Sequence, residues 1–380
     1  DCGSRGVGHG SDRVRMLRVM LLSTDLEKGG LPLRLANLAH HLKAAGIEPV
    51  VGCLAQRGPL HQSLESDGIE TFACDASGAL DSSCLVRFAR HLRRIDPDLI
   101  HASLFHANLA ARLCGRLDRP RPILTSTVTI EIERPLHRWM EALTSGLSDC
   151  HVANSHAVAD HLQIDLGFAP ERLEVIPNGI DLDQIDQIPS ARRCDMDLDE
   201  RAPLIVWAGR MDPVKNLETF VDVVARVHQQ YEVRVLILGD GPKRACITTL
   251  INKKGLKNII AMPGWSDAVA AWLKTADILL FPSRTEGCPN VILEAMACGC
   301  AVVASDAPGC AELIQSGRTG ELSAFDDVQG FAHRVHRLLI DPQRRNHMAE
   351  EARSTVSQRH NIQDVVDRWC STYDRLMMNC

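Results

Sequence analysis

The strongest constraint on the fold is an alternation that runs through the chain twice. Short, near-continuous apolar runs are each followed by a polar or glycine-containing turn, and then by apolar residues at helical spacing. Arg18-Val19-Met20-Leu21-Leu22 reads as a strand and residues 23–30 as a polar turn. The segment carrying Leu31, Leu35, Leu38, Ala39 and Leu42 reads as a helix that stops at Gly46. Pro49-Val50-Val51-Gly52-Cys53 is the next strand. A strand, a helix and a strand in this order need a crossover connection, so the sheet is parallel. The pattern continues with strands at 99–102, 122–125, 150–153 and 173–176 and a helix over 107–117, and it closes on the turn Pro177-Asn178-Gly179.

Residues 181–202 are charged, contain Pro189 and lack apolar periodicity, which places the inter-domain connection there. A second alternation follows, with strands at 204–208, 233–238, 259–262, 278–281 and 301–304 and helices over 217–229, 268–275 and 290–298. Strands this uniformly apolar are covered on both faces. The 380 residues exceed one ordinary core. The predicted organisation is a disordered tail over 1–17, a Rossmann-like domain over 18–183, a linker over 184–202, a second Rossmann-like domain over 203–361 and a helix over 362–380. That last helix carries Val365, Trp369, Tyr373 and Leu376 on one face, which it buries by packing back on the N-terminal domain. Open α/β sheets take ligands at the carboxyl ends of their strands, so the cleft between the domains is the expected site.

Composition narrows the partners. Aromatic residues make up only 4% and the formal net charge is -6, which argues against nucleic acid. No apolar run reaches the ~18 residues of a membrane span, and the N-terminal stretch has no apolar signal core. The 14 cysteines show no metal-binding spacing, and Cys298 and Cys300 are too close to share a tetrahedral zinc. They read as buried thiols in a reducing cytoplasm.

The densest chemical signal is the stretch from Phe281-Pro282-Ser283-Arg284-Thr285-Glu286-Gly287 through Cys288-Pro289-Asn290-Val291 to Glu294. A strand ends, a loop with Glu286 and Gly287 follows, and Pro289 marks a helix start, where a missing N–H costs nothing. Free amides and the positive end of the helix dipole make an anion site there. Glu294, about one turn into the helix, and Glu286, in the loop, face the same cleft mouth, where carboxylates accept hydrogen bonds from vicinal hydroxyls. A second stretch, Gly209-Arg210-Met211-Asp212-Pro213-Val214-Lys215-Asn216, offers a guanidinium fork and a point charge suited to two adjacent phosphates. A third, Glu27-Lys28-Gly29-Gly30, permits close backbone approach to an anion but is no GxGxxG fingerprint.

These motifs resemble the two-glutamate motif and donor-site basic residues of the family four glycosyltransferases, retaining enzymes of the GT-B fold in glycosyl transferases group 1. The likeness runs from Arg18 to the tail helix, densest in the C-terminal half. It implies an α/β GT-B architecture with the acceptor on the N-terminal domain and a UDP- or GDP-linked sugar donor, without a cofactor or metal. It also implies synthesis of cell-envelope polysaccharide in the cytoplasm or on the inner face of the membrane. By the same resemblance Glu294 holds the donor ribose, Glu286 the sugar hydroxyls, and Arg210 and Lys215 the diphosphate. The backbone of Cys288, Pro289, Asn290 and Val291 lies against the sugar diphosphate, and Gly29 and Gly30 meet the donor phosphates or the acceptor. Gly241, and Gly264 with Trp265, line the nucleotide pocket. His101 and His106 face the cleft, His106 near the reacting centre. The chain departs from the family where relatives carry a histidine after the strand at 123–125; here it reads Ser126-Thr127-Val128-Thr129. Ala301 stands where a proline is common, and Pro308-Gly309 where a glycine pair is common.

The resulting expectation is metal-independent transfer of a hexose, with retention, to a glycan or lipid-linked acceptor. The rivals are a phosphorylase or epimerase on the same fold and a sugar-nucleotide binder without turnover. An arginine-rich stretch, Arg87 to Arg138, reads either as solvated helix faces or as a basic surface that docks on anionic lipid.

Overall fold

The computed structural model describes residues 16–27, 29–78, 81–130, 135–196 and 198–379. Most of the expected tail, Lys28 of the glycine loop and Arg134 lie outside the described residues. The first sheet contains β1 (Arg18–Ser23), β2 (Glu48–Cys53), β3 (Glu70–Ala73), β4 (Leu99–Ser103), β5 (Ile123–Thr127), β6 (Cys150–Ala153) and β7 (Leu173–Val175), in the order β3-β2-β1-β4-β5-β6-β7. The second contains β8 (Leu204–Ala208), β9 (Arg234–Leu238), β10 (Ile260–Gly264), β11 (Ile278–Phe281), β12 (Ala301–Ser305) and β13 (Glu321–Ser323), in the order β10-β9-β8-β11-β12-β13. Every named pair is parallel. Two doubly wound sheets with helices on both faces follow from the repeated crossovers, as the alternation predicts. The edge strands β3 and β13 escape the sequence reading, because short edge strands do not need a continuous apolar run.

The first sheet is connected by α1 (Gly30–Ala44), α2 (Pro59–Ser66), α3 (Ser83–Ile95), α4 (Phe105–Cys114), α5 (Pro135–Thr144) and α6 (His156–Asp160). The expected linker holds α7 (Leu182–Gln187), begun by Asp181, whose carboxylate accepts from the Gln184 amide at 2.9 Å. The second sheet carries α8 (Leu217–His228), α9 (Arg244–Lys253), α10 (Val269–Thr275), α11 (Asn290–Ala297), α12 (Pro308–Leu313) and α13 (Val328–Ile340). The chain ends in α14 (Pro342–Arg359) and α15 (Ile362–Met378).

Helix α15 crosses back to the first sheet. Val365, Val366, Trp369, Tyr373 and Leu376 join the core made by α1, α2 and one face of that sheet. Burying these five side chains contributes on the order of 10 kcal/mol of transfer free energy before entropy is counted. The same packing corrects one expectation. His101 does not face the cleft. It sits mid-strand in β4 with 1% exposure, stacked on Trp369 at 4.5 Å between ring centroids. Its Nδ1 lies 2.8 Å from the Tyr373 hydroxyl and its Nε2 3.2 Å from the Ser126 hydroxyl, so both nitrogens are occupied.

Burial, with the nearby Arg34 charge, pulls the His101 ring down to about 3. Burial, with Arg112, does the same to His151 in β6. Above about pH 6.5 both folded and unfolded chains hold these rings neutral. Below it the unfolded chain takes up protons that the folded chain refuses until near pH 3. Stability is therefore lost by up to about 1.4 kcal/mol per pH unit for each ring. Urea denaturation between about pH 6.5 and 4.5 tests this: His101→Gln flattens the slope by one ring's share. A slope equal to that of the wild type contradicts it.

Candidate functional site

In each sheet the strand order reverses beside one central strand, between β1 and β4 and between β8 and β11. At such a switch point the loops leaving the two strands diverge to opposite faces and open a crevice. In the second sheet the parallel register sets Ile278 opposite Ile205 and Leu279 opposite Val206. This brings the loop after β8, with Arg210 and Lys215, alongside the loop after β11, with Glu286. Lys215 Nζ lies 2.5 Å from Glu286 Oε1 and over the Phe281 ring at 5.2 Å. The two side chains keep 21% and 11% exposure, enough to meet a ligand yet shielded enough to strengthen the pair.

The loops are braced from below. The Arg284 amide donates to the Val214 carbonyl at 2.8 Å, and Ser283 Oγ to the same carbonyl at 3.1 Å. Asn216, in the left-handed region at φ 53, donates to the carbonyls of Pro282 at 3.1 Å and Phe325 at 2.8 Å. Arg210 is different. It projects outward, with a side chain 73% exposed and Nε 3.2 Å from an Asp212 carboxylate oxygen. It shares the loop with Lys215 but does not touch Glu286.

Pro289 stands as the residue before α11, which begins at Asn290 as expected. Asn290 and Val291 are half-buried in its first turn, and Cys288 is buried. The carboxylate of Glu294, one turn on, makes no hydrogen bond or ion pair among the described residues. Burial raises its carboxyl above the usual range. Three glycine-bearing loops follow β8, β9 and β10 at the same edge of the sheet. Gly209, Gly239, Gly241 and Gly264 all hold positive φ, and the Met211 amide donates to the Asp240 carbonyl at 2.8 Å. A Cβ on Gly239 would stand 1.9 Å from the Gly209 carbonyl oxygen, so these loops stack backbone against backbone. Trp265 is exposed, its indole donating to Asp267 at 3.1 Å.

The first sheet supplies the facing wall. Gly29 precedes α1 and Gly30 opens it, with no side-chain cap and no acid in the first turn. His106 lies half-buried in the first turn of α4, edge-on to the Phe105 and His137 rings. The loop after β5 reaches the second domain directly: a Cβ on Gly287 would stand 2.2 Å from the Val128 carbonyl oxygen. Asn178 links the domains, its Nδ2 donating to the Cys288 carbonyl at 3.0 Å and to Asn290 Oδ1 at 2.5 Å. On α12, Glu312 accepts from the amides of His156 and Ala157. One residue went unsuspected: Arg34, one turn into α1, donates to Asn178 Oδ1 and meets no carboxylate among the described residues. Burial lowers it to about 10, so it stays charged at neutral pH.

Two sequence profiles match this arrangement, Glycosyltransferase Family 4 over residues 28–184 and Glycosyl transferases group 1 over residues 202–341. The chain belongs to the family 4 glycosyltransferases. It is 28% identical over 176 residues to the N-acetyl-alpha-D-glucosaminyl L-malate synthase of Bacillus anthracis, a match over 46% of each chain. The chain thus spans about half the length of the first curated relatives it matches. It is 22% identical over 340 residues to the UDP-Gal:alpha-D-GlcNAc-diphosphoundecaprenol alpha-1,3-galactosyltransferase of Escherichia coli, over 84% of this chain and 86% of that one. Among solved structures, Anabaena HepE in complex with UDP and glucose has a TM-score of 0.80 at 23% identity, over 94% of this chain and 100% of that chain, a likeness of fold.

The Pro308-Gly309 pair sits against the Glu286 loop. Pro308 opens α12, and Gly309 lies so close to the β11 loop that a Cβ would stand 2.0 Å from the Gly287 carbonyl oxygen and 2.5 Å from that of Glu286. Gly309→Ala is therefore expected to push the Glu286 loop aside and to destabilise the protein by about 1–3 kcal/mol in urea denaturation. Gly30→Ala, whose Cβ meets nothing within 4 Å, should change stability by less than about 0.5 kcal/mol. Equal effects of the two substitutions would refute this account of the loop.

Proposed function

We propose that this glycosyltransferase moves a hexose from a nucleotide-diphosphate sugar to a glycan or lipid-linked acceptor, with retention and without a metal. The observation that carries the reading is the contact of Lys215 with Glu286 beside the start of α11, at the switch point of the second sheet. Glu286 accepts hydrogen bonds from the donor sugar hydroxyls and Glu294 from the ribose. The raised carboxyl of Glu294 fits a group whose charge is unpaired until the ligand arrives. Lys215 and the amides of the α11 first turn, around Pro289, Asn290 and Val291, hold the diphosphate, and Arg210 swings in from its exposed position. The loops at Gly241, Gly264 and Trp265 take the nucleotide. The sugar name in the Escherichia coli relative and the UDP bound to HepE favour UDP.

On the facing wall Gly29, Gly30 and His106 meet the acceptor or the donor phosphates, and Arg34 adds a cation that meets no carboxylate among the described residues. His101 has no part in this, being buried against α15. The bond from the sugar carbon to the diphosphate oxygen breaks while an acceptor oxygen approaches from the same face. The acceptor proton passes to the departing diphosphate, and the nucleoside diphosphate leaves. Negative charge grows on the diphosphate, where Lys215, Arg210 and the helix amides stabilise it. The Escherichia coli relative's name includes a diphosphoundecaprenol-linked acceptor, which favours a lipid-linked acceptor here.

The test is kinetic. UDP-, GDP- and ADP-sugars are screened by thermal shift, since a ligand bound only by the folded chain raises its apparent stability. Release of nucleoside diphosphate is then followed with the sugar that stabilises most. Arg210→Ala with Lys215→Ala is expected to slow release by at least about 10²–10³-fold in the folded protein. An unchanged rate would overturn the assignment, and binding without any release would favour the non-catalytic binder.

A further inference from the structure

Helix α5 is amphipathic with its polarity reversed. Its inward side is polar: Glu141 is buried and paired with Arg112 of α4 at 2.5 Å, and Arg112 also donates to Ser148 Oγ at 3.0 Å and Thr144 Oγ1 at 3.1 Å. Its apolar residues point outward. Leu136, Trp139 and Leu143, at helical spacing, are 63%, 61% and 67% exposed, and Leu147 continues the stripe in the turn beyond. A surface helix ordinarily turns such a stripe inward. The buried ion pair fixes this one facing solvent, and a contiguous exposed apolar patch of this kind marks an interaction surface.

The charge around the stripe selects the partner. Helices α3, α4 and α5 lie in one layer on the same side of the first sheet. Their 13, 10 and 10 residues include one acid, Glu141, and that acid is buried. The arginine-rich stretch is less basic than its count suggests, because Arg87, Arg94, Arg112, Arg116, Arg119 and Arg121 are held in internal ion pairs. Arg90, Arg93 and Arg138 make no ion pair among the described residues. The three helices thus offer an apolar stripe with a tryptophan, fringed by cations and with no exposed carboxylate in their own described residues. This is the make-up of an element that lies in a membrane interface. No helix of the described residues is long and apolar enough to cross a membrane.

We propose that the outward face of α5, with the basic surface of α3 beside it, seats this protein on an anionic lipid bilayer. Helix α5 lies near the crevice: His137 and Arg138 line one cavity with Val128. The loop that leads into α5 begins at Val128, which abuts Gly287 of the Glu286 loop. A lipid-linked acceptor anchored in the same leaflet then reaches the crevice without leaving the bilayer. The inference rests on the lipid-linked acceptor proposed above.

The full chain is sedimented with vesicles of phosphatidylcholine alone and of phosphatidylcholine with phosphatidylglycerol, while the tryptophan emission that is lost in Trp139→Ser is followed as a difference between the two proteins. Binding to the mixed vesicles, a blue shift and weakening by salt are expected. Leu136→Ser with Trp139→Ser and Leu143→Ser should lower partitioning about tenfold or more, and Arg90→Glu with Arg93→Glu should remove the preference for the anionic lipid. Neither variant touches the crevice, so donor hydrolysis in the absence of acceptor should stay at the wild-type rate. Wild-type chain that ignores both vesicles, or a serine variant that binds as well as wild type, would overturn the proposal. So would a stripe buried between two copies in gel filtration, or captured by a protein partner instead of lipid. Vesicle binding without transfer to any lipid-linked acceptor would leave this inference standing and remove the acceptor reading instead.

Discussion

The parallel pairing of β8 with β11 is the constraint from which the site follows. Lys215 and Glu286 are 71 positions apart, yet the register of these two central strands delivers their loops to one edge of the sheet. The strand order reverses there, which is where open parallel sheets take their ligands. The ion pair is a consequence of that geometry. It holds an acid and a base in a partly shielded crevice where each can exchange its partner for a ligand group.

The second domain's loop is further shaped by contact with the first. Gly287 has no room for a side chain because the Val128 carbonyl stands against it, and Gly309 has none because the loop itself does. Asn178 and Glu312 accept and donate across the same seam. The Glu286 loop is therefore set by both domains, and a relative movement of the two would act directly on Glu286. Helix α15 fastens the arrangement from behind, with Trp369 and Tyr373 buried in the first domain although they follow the second in sequence.

Much of this was legible in the residues. Uniform apolar runs such as Leu204-Ile205-Val206-Trp207-Ala208 report central strands whatever their partners, and the loops after them carry the chemistry, so Lys215, Glu286 and Glu294 stand out. What stayed hidden depends on partners far along the chain. His101 alternates onto a strand face that only α15, 272 residues later, reveals as core. Arg34 looks like a surface cation on an ordinary helix until Asn178, itself bonded to the second domain, is found to accept from it. The arginine run reads as uniformly basic until its carboxylates are found; six of its arginines are paired internally, which leaves Arg90, Arg93 and Arg138 as its unpaired cations among the described residues. A helix propensity cannot say which side of α5 faces inward; the Arg112–Glu141 pair decides that.

The central claim is that one diphosphate lies between the β8 and β11 loops. The most direct measurement is a crystal structure of the protein with UDP. The account predicts the diphosphate within hydrogen-bond distance of Lys215 Nζ and the first amides of α11, with Glu294 on the ribose. Density for the diphosphate outside this crevice, with the Lys215–Glu286 contact undisturbed, would contradict it.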